Sequence, residues 1–424
     1  MADGQLADVA DVEMGQSPPG AECNTDGHGT PLLNGPTEFG PHHPTPAQWT
    51  TDPRRMAHAG DILFCVRGST TGRMNWADQD YAIGRGVAAI RHRKGGEFQH
   101  FVRGVIESRL PFLLASATGS TFPNVSRSQL LELACDIPSL SEQKAIAHIL
   151  GTLDEKVDLN RRMTATLEAI ARTIFKSWFV DFDPVHATIG GLDAAVPEAV
   201  QDLFPASLED SELGKIPLGW RTGILGDMVG FQNGYAFRSK DWQDSGVPVV
   251  KIGSVKPGFV DLNQVSYVSD CIAQENSRYR LQVADLLVGM TGYVGEVGLV
   301  PPTDVLPLLN QRVGKFVLPT PGAPGIGFVY CLTRRAEFKQ AVTDRAHGSA
   351  QPNVSSKEIL AIPVVIPPSE LVTAFNQLMA PVFEKVLSRL AESRSLATLR
   401  DTLLPALTSG DMNTPDELLR GDLS

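Results

Sequence analysis

Residues 119–126 read GSTFPNVS and residues 348–355 read GSAQPNVS, an offset of 229 residues. The offset persists downstream, where Ile137-Pro138 matches Ile366-Pro367. Upstream the match continues with small gaps. GDILFCVRGSTTG (60–72) parallels ADLLVGMTGYVG (284–295), and Gly29-Thr30-Pro31-Leu32-Leu33 parallels Gly246-Val247-Pro248-Val249-Val250. Self-similarity at a fixed offset marks a duplicated architecture. Each half is a mixed region followed by a helical region, with spans 1–139, 140–213, 214–366 and 367–424.

The mixed regions carry short apolar runs such as VPVVKIGSV and RVGKFVLP, broken by Gly, Pro and Asn. Such runs read as strands and turns with a few helices. GDIL and ADLL read as strand starts whose Asp faces a turn. The helical regions are more regular. In SEQKAIAHILGTLDEKVDLNRRMTATLEAIARTIFKSWF (141–179), Ile146, Leu153, Asn160, Leu167 and Ile174 recur every seven residues, and Ile149, Met163 and Ile170 fill a second apolar row. The second half repeats the stripe in register with Phe375, Val382, Arg389, Leu396 and Leu403. A sustained heptad predicts long helices pairing side by side. At ~1.5 Å per residue each is about 60 Å long. Two helices of one chain, each returning to a globular region, pair most simply antiparallel. Ser141 before Glu142 and Gln143 reads as the N-cap of the first helix, and Pro381 should kink or start the second. Asn160 and Arg389 interrupt the stripe. They are either a register-fixing polar pair or a point where the helices diverge into solvent.

The 424-residue chain has a net charge of −11, which argues against DNA binding because duplex DNA attracts basic surfaces. Counted by region, residues 1–139 carry 11 basic and 15 acidic side chains, 140–213 carry 6 and 13, 214–366 carry 15 and 12, and 367–424 carry 5 and 8. The acidity therefore sits mainly in the first helical region, and a local basic patch can still meet phosphates. Five scattered cysteines without a CxxC suit a reducing cytoplasm. No stretch approaches the roughly 20 apolar residues of a membrane span. The acidic start MADGQLADVADVEMG does not read as a signal peptide.

Catalytic motifs were sought without result. The sequence holds no GxxxxGK[ST], no strand–GxGxxG–helix unit, no GxSxG and no Asn/Asp-Pro-Pro-Tyr/Phe. Asp181 with Asp183 and the pair His42-His43 read as a solvated helix end and a loop rather than metal ligands. Glu107 and Asp136 are too isolated for a catalytic pair.

Four strings together identify a resemblance: the duplicated GS-x-x-PNVS segments, IPSLSEQKAIAHILGTLDEKVDLNRR, IFKSWFVDFDPV, and IPLGWRTGILGDMV opening the second half. Over essentially its whole length the chain resembles the specificity subunit of type I restriction-modification systems. The resemblance implies an α+β fold with two pseudo-symmetric target-recognition domains, separated by two long antiparallel coiled-coil helices. It implies a non-catalytic subunit in which each domain reads half of a split duplex DNA site. The helical regions would dock methylase subunits, two of them, with a restriction subunit joining the complex. S-adenosylmethionine, ATP and magnesium would sit on those partners and none on this chain. Two departures stand out. The first half lacks an opening like Leu218-Gly219-Trp220, and PPSELVTAFNQLMAPVFEKV is a weak form of the SEQKAI pattern. The rival readings are a structural coiled-coil adaptor and a metal-dependent nuclease with dispersed carboxylates.

Within that resemblance, phosphates call for Arg and Lys and base edges for polar side chains. The turns after GDILFCVRG and ADLLVGMTG offer Arg67, Ser69, Thr70, Thr71, Arg73, Thr291 and Tyr293. The basic strands offer Arg85, Arg91, Arg93, Lys94, Gln311, Arg312 and Lys315. Trp178, Phe179 and Phe182, ending the first helix, either bind a partner subunit or pack inside the chain.

Overall fold

The computed structural model describes residues 2–40, 42–117, 123–193, 196–348 and 351–409. Of the repeated octapeptides, 119–122 and 349–350 lie outside the described residues, as does the tail 410–424. The chain forms two compact units, Met1–Leu159 with Arg394–Ser424, and Asn160–Ser393. Their borders fall inside the long helices, because each unit buries helix ends in its own core.

In the first unit a four-stranded sheet runs in the order Ala10–Met14, Val87–His92, Ile62–Cys65, Met74–Trp76, all antiparallel. The GDILFC run supplies an inner strand of this sheet. Successive strand residues face opposite sides, and both sides are buried here. Ile62 and Phe64 enter a core with Phe101, Val105 and Ile146, whereas Leu63 and Cys65 enter a second with Leu33 and Tyr81. A five-stranded sheet lies beyond, and in it Thr30–Leu33 pairs parallel with Tyr81–Ile83. Ile146, Ala147 and Leu150 from the first long helix and Leu404 and Leu407 from the second complete the core.

The second unit repeats this plan. Its sheet runs Gly230–Asn233, Val313–Val317, Leu286–Gly289, Val297–Leu299, with Gly258–Phe259 added at the edge. Leu286 and Val288 face one core and Leu287 the other. Val247–Val250 pairs parallel with Leu308–Leu309, as its counterpart does in the first unit. In each unit an antiparallel pair joins the start to the end: Ala2–Gln5 with Ala134–Ile137, and Arg221–Ile224 with Pro363–Ile366.

The long helices are Leu140–Phe179 and Ser369–Ser409. The first is capped by Ser139 and not Ser141: Glu142 N donates to Ser139 Oγ at 3.4 Å, and Ser139 N donates to Glu142 Oε2 at 2.8 Å. This reciprocal box needs a serine three residues before the Glu, and Ser139 has that spacing. Pro381 lies well inside the second helix, so it does not start it. Within the second unit Asn160 contacts Arg389 and Phe175 contacts Phe375, so one helix ascends as the other descends. In the first unit Asp154 meets Arg400.

Asn160 is fully buried, and its Oδ1 accepts from Arg389 Nη1 at 3.2 Å. Arg389 also pairs with Glu392. The two stripe-breaking residues, equivalent positions of the repeat, thus form a polar pair, and the helices do not part there.

Candidate nucleic-acid interface

The geometry shared by the two units begins at the Asp of GDIL and ADLL. Asp61 Oδ2 accepts from His58 N at 2.8 Å and from Arg91 Nη2 at 2.7 Å. In the second unit Asp285 Oδ2 accepts from Gln282 N at 2.7 Å and from Lys315 Nζ at 3.2 Å. The Asp therefore closes the turn before its strand and pairs with a base on the neighbouring strand. Burial raises the Asp61 carboxyl above the usual range, opposed by the His58 amide and Arg91. Arg91 and Lys315, both candidates for DNA contact, are thus each paired with a carboxylate of the fold.

The turn at the other end of that strand differs. In the first unit three segments converge on it through Val66: Val66 N donates to Gly86 O at 3.0 Å, and Val125 N donates to Val66 O at 2.8 Å. In the second, Met290 N donates to Arg312 O at 3.1 Å and Val354 N to Met290 O at 2.9 Å. The turns are thus sewn to the residues around Arg85 and Arg312 on one side and to the PNVS segments on the other. Gly72 (φ 91) and Gly295 (φ 75) take left-handed conformations at the turn ends, which glycine adopts without penalty. Helices lie behind them, with Leu110 and Leu114 facing Gly72 and Val342 and Lys339 facing Gly295.

The structure brings Arg67, Ser69, Thr70 and Arg85 together at one exposed edge of the first unit, with Asn124 beside them. In the second unit it gathers Tyr293, Gln311 and Arg312, all exposed, with Asn353. Tyr293 is 68% exposed, at the tip of its turn. Other candidates face inward or elsewhere. Thr71 Oγ1 donates to Gly68 O and Pro123 O, each at 2.8 Å. Thr291 is buried, its hydroxyl on Asn353 Oδ1 at 2.6 Å. Arg73 staples a loop by donating to Pro36 O and Phe39 O at 3.1 and 2.6 Å. Arg93 and Lys94 follow strand Val87–His92, at the end opposite Arg85, and Arg93 pairs with Asp11 at 3.0 Å. They belong to a different part of the surface. Sequence reasoning missed Asn124 and Asn353; the repeat flagged them, but their place beside the turns depends on long-range pairing.

At the aromatic end of the first long helix the second of the two readings, packing inside the chain, is the one observed for Trp178 and Phe179. Trp178 and Phe179 are 3% and 7% exposed. Phe179 packs edge-on against Phe328 and Phe375, and Trp178 against Phe204 and Phe375. They are core, so neither offers a face to a partner; Phe182 is half-buried against Trp220. Asp181 pairs with Lys176, and His43 Nδ1 lies 3.1 Å from Trp76 O. Among the described residues no three His, Cys, Asp or Glu side chains are grouped to hold a metal, and no helix is long and apolar enough to cross a membrane.

Comparison with known proteins matches both halves. The family model described as type I restriction modification DNA specificity domain fits residues 1–169 and again 217–396. The chain is 25% identical over 408 residues to the type I restriction enzyme HindI specificity subunit of Haemophilus influenzae, covering 85% of this chain and 88% of that one. It is 24% identical over 328 residues to the MjaIX specificity subunit of Methanocaldococcus jannaschii, covering 74% and 71%. Its fold is similar to the crystal structure of a type I restriction-modification S subunit from M. genitalium, with a TM-score of 0.51, 18% identity and 96% coverage of each chain. With the duplicated architecture matched domain by domain, the chain belongs to the family of type I restriction-modification DNA specificity subunits.

Proposed function

We infer that this chain is the sequence-reading subunit of a type I restriction-modification complex, with each unit reading one half of a split duplex DNA site. One observation carries the reading. The same turn is displayed twice on the same scaffold, and its exposed side chains differ: Arg67, Ser69 and Thr70 in one, Tyr293 in the other. A fixed scaffold with changed tips is how one fold reads two sequences. Arg67, Arg85 and Arg312 supply phosphate or guanine contacts, and the hydroxyls hydrogen-bond to base edges. With a net charge of −11, the chain depends on partner subunits for much of the attraction to DNA.

The long helices serve the partners. Ile170 and Leu399 are 45% and 47% exposed and occupy the same position of the repeat. An apolar residue kept at the surface in both copies fits one methylase subunit per copy, hence two. Methyl donor, ATP and magnesium belong to the methylase and restriction subunits, in the cytoplasm. The test is to map modified adenines in DNA from cells with and without the chain. One split motif lost on deletion is the expected result; unchanged modification refutes the reading.

A further inference from the structure

The closest match between the halves, Pro-Asn-Val-Ser, contains no group that the reading above uses, yet each of its residues does the same work twice. The proline carbonyl accepts from a turn glycine: Gly68 N donates to Pro123 O at 3.3 Å and Gly292 N to Pro352 O at 2.9 Å. The asparagine bridges the turn residue before that glycine, Asn124 with Arg67 and Asn353 with Thr291. The valine, Val125 or Val354, is buried and donates its amide to the strand end. The serine caps the next helix: Ser126 Oγ accepts from Gln129 N and Ser355 Oγ from Glu358 N, each at 3.2 Å. One end of the segment is therefore locked in the core and the other grips the exposed turn.

We propose that Pro-Asn-Val-Ser is a strut that fixes the pose of the reading turn, and that Thr291 with Asn353 is a specificity-determining positioning pair in the second unit. The inference rests on the DNA-reading function above. A turn with left-handed glycines at 292 and 295 has few intrinsic restraints, because glycine populates both signs of φ. Base readout tolerates little movement, since hydrogen bonds weaken steeply with misalignment. The Thr291 Oγ1–Asn353 Oδ1 bond joins the turn to the strut two residues before Tyr293. Neither residue need touch a base to control where Tyr293 points.

The experiment uses the assembled complex carrying Thr291→Val, Thr291→Ser or Asn353→Ala. Binding is measured against the native split site, versions with each half altered in turn, and unrelated DNA. Thr291→Val should lower discrimination at the second half-site about tenfold, the size of one base contact. Discrimination at the first half-site and affinity for unrelated DNA should stay unchanged. Asn353→Ala should reproduce this, and Thr291→Ser, which keeps the hydroxyl, should behave as wild type. Full discrimination by Thr291→Val overturns the strut. So does a Thr291→Ser defect equal to that of Thr291→Val, which would assign the effect to lost packing. Equal loss at both half-sites, indicating general destabilisation, overturns it too. A wild-type complex with no split site would overturn the function itself and the strut with it, whereas a selective wild type with unaffected variants overturns the strut alone.

Discussion

Arg400→Met tests how the end of the second long helix is held in the first unit. Arg400 Nη1 donates to Asp154 Oδ1 at 2.8 Å, and Asp154 Oδ2 lies 3.7 Å from His100 Nδ1. Burial pushes the Asp154 carboxyl up, but His100 and Arg400 outweigh it and hold it at about 2, well below the usual carboxylate range. The side chain is only 14% exposed, so little of this is screened. A depression of nearly two pH units corresponds to about 2 kcal/mol of stability at neutral pH. The sign follows from the depressed value: this stability is complete above the unfolded-state pKa and is lost as pH falls through the folded one. At pH 3 about half of it should remain. Methionine keeps most of the aliphatic stem, so the variant isolates the charge. Hydrogen exchange of helix segments 140–159 and 394–409 at pH 7 and pH 3 reads the local opening free energy. His100 still faces the carboxylate in the variant, so the expected loss is part of that stability, on the order of 1 kcal/mol at pH 7 and about half as much at pH 3. A loss equal at both pH values would refute the electrostatic account and leave only packing.

Arg91→Gln strands the buried Asp61 and should destabilise the first unit by about 2 kcal/mol, less than a fully buried pair because Arg91 is partly solvated; the salt slope of DNA binding should hold, and a flattened slope would restore Arg91 as a phosphate contact. Arg67→Gln should do the opposite, lowering that slope by about 0.9 with no change in unfolding. Phe179→Ala should cost about 3–5 kcal/mol in the second unit, measured by denaturant unfolding; a fully stable variant that merely lost its methylase partner would return Phe179 to a docking role. His92 Nε2 donates to Gln143 Oε1 at 3.0 Å while its Nδ1 accepts from Lys94 N, and burial lowers its pKa. The neutral ring is favoured in the fold, so its contribution is complete above about pH 6.5 and falls away below it; His92→Gln should lessen that loss in a pH series of unfolding midpoints.

The parts of the fold legible in the sequence were those with a local period. The alternation of Ile62 and Phe64 with Leu63 and Cys65 between two cores follows from a short apolar run bounded by Gly60-Asp61 and a turn. The heptad gave both long helices and flagged Asn160 and Arg389, leaving open whether they meet; the structure pairs them. What failed was pairing across the chain. A count of cations sees Arg91 and Lys315 but not the carboxylates of Asp61 and Asp285 that neutralise them. Aromatic rings at a helix end look available until Phe328 and Phe375, far along the chain, close over them. Even Ser139 was local in principle: its spacing to Glu142 is the capping-box spacing, whereas Ser141 is merely the serine nearest the Glu.

Two copies of one scaffold in a single chain act as each other's control. Groups that the fold requires should be the same in both, and groups that read different sequences should differ while staying exposed. The Asp–base pair, the doubly buried strand, the capped helix after Pro-Asn-Val-Ser and the turn tethers are the same in both. The helix junction keeps its position but changes its chemistry: where the first unit sets Asp154 against Arg400, the equivalent residues of the second are Phe383 and Ala171, buried with Tyr330. Both versions are inward-facing solutions to the same packing problem, one ionic and one apolar. The turns differ outward. Arg67, Ser69 and Thr70 in one unit, all exposed, stand where the other has buried Thr291 and exposed Tyr293, and one turn is a residue longer. The exposed differences at the turns, Arg67, Ser69 and Thr70 against Tyr293, are what the proposed reading role calls for.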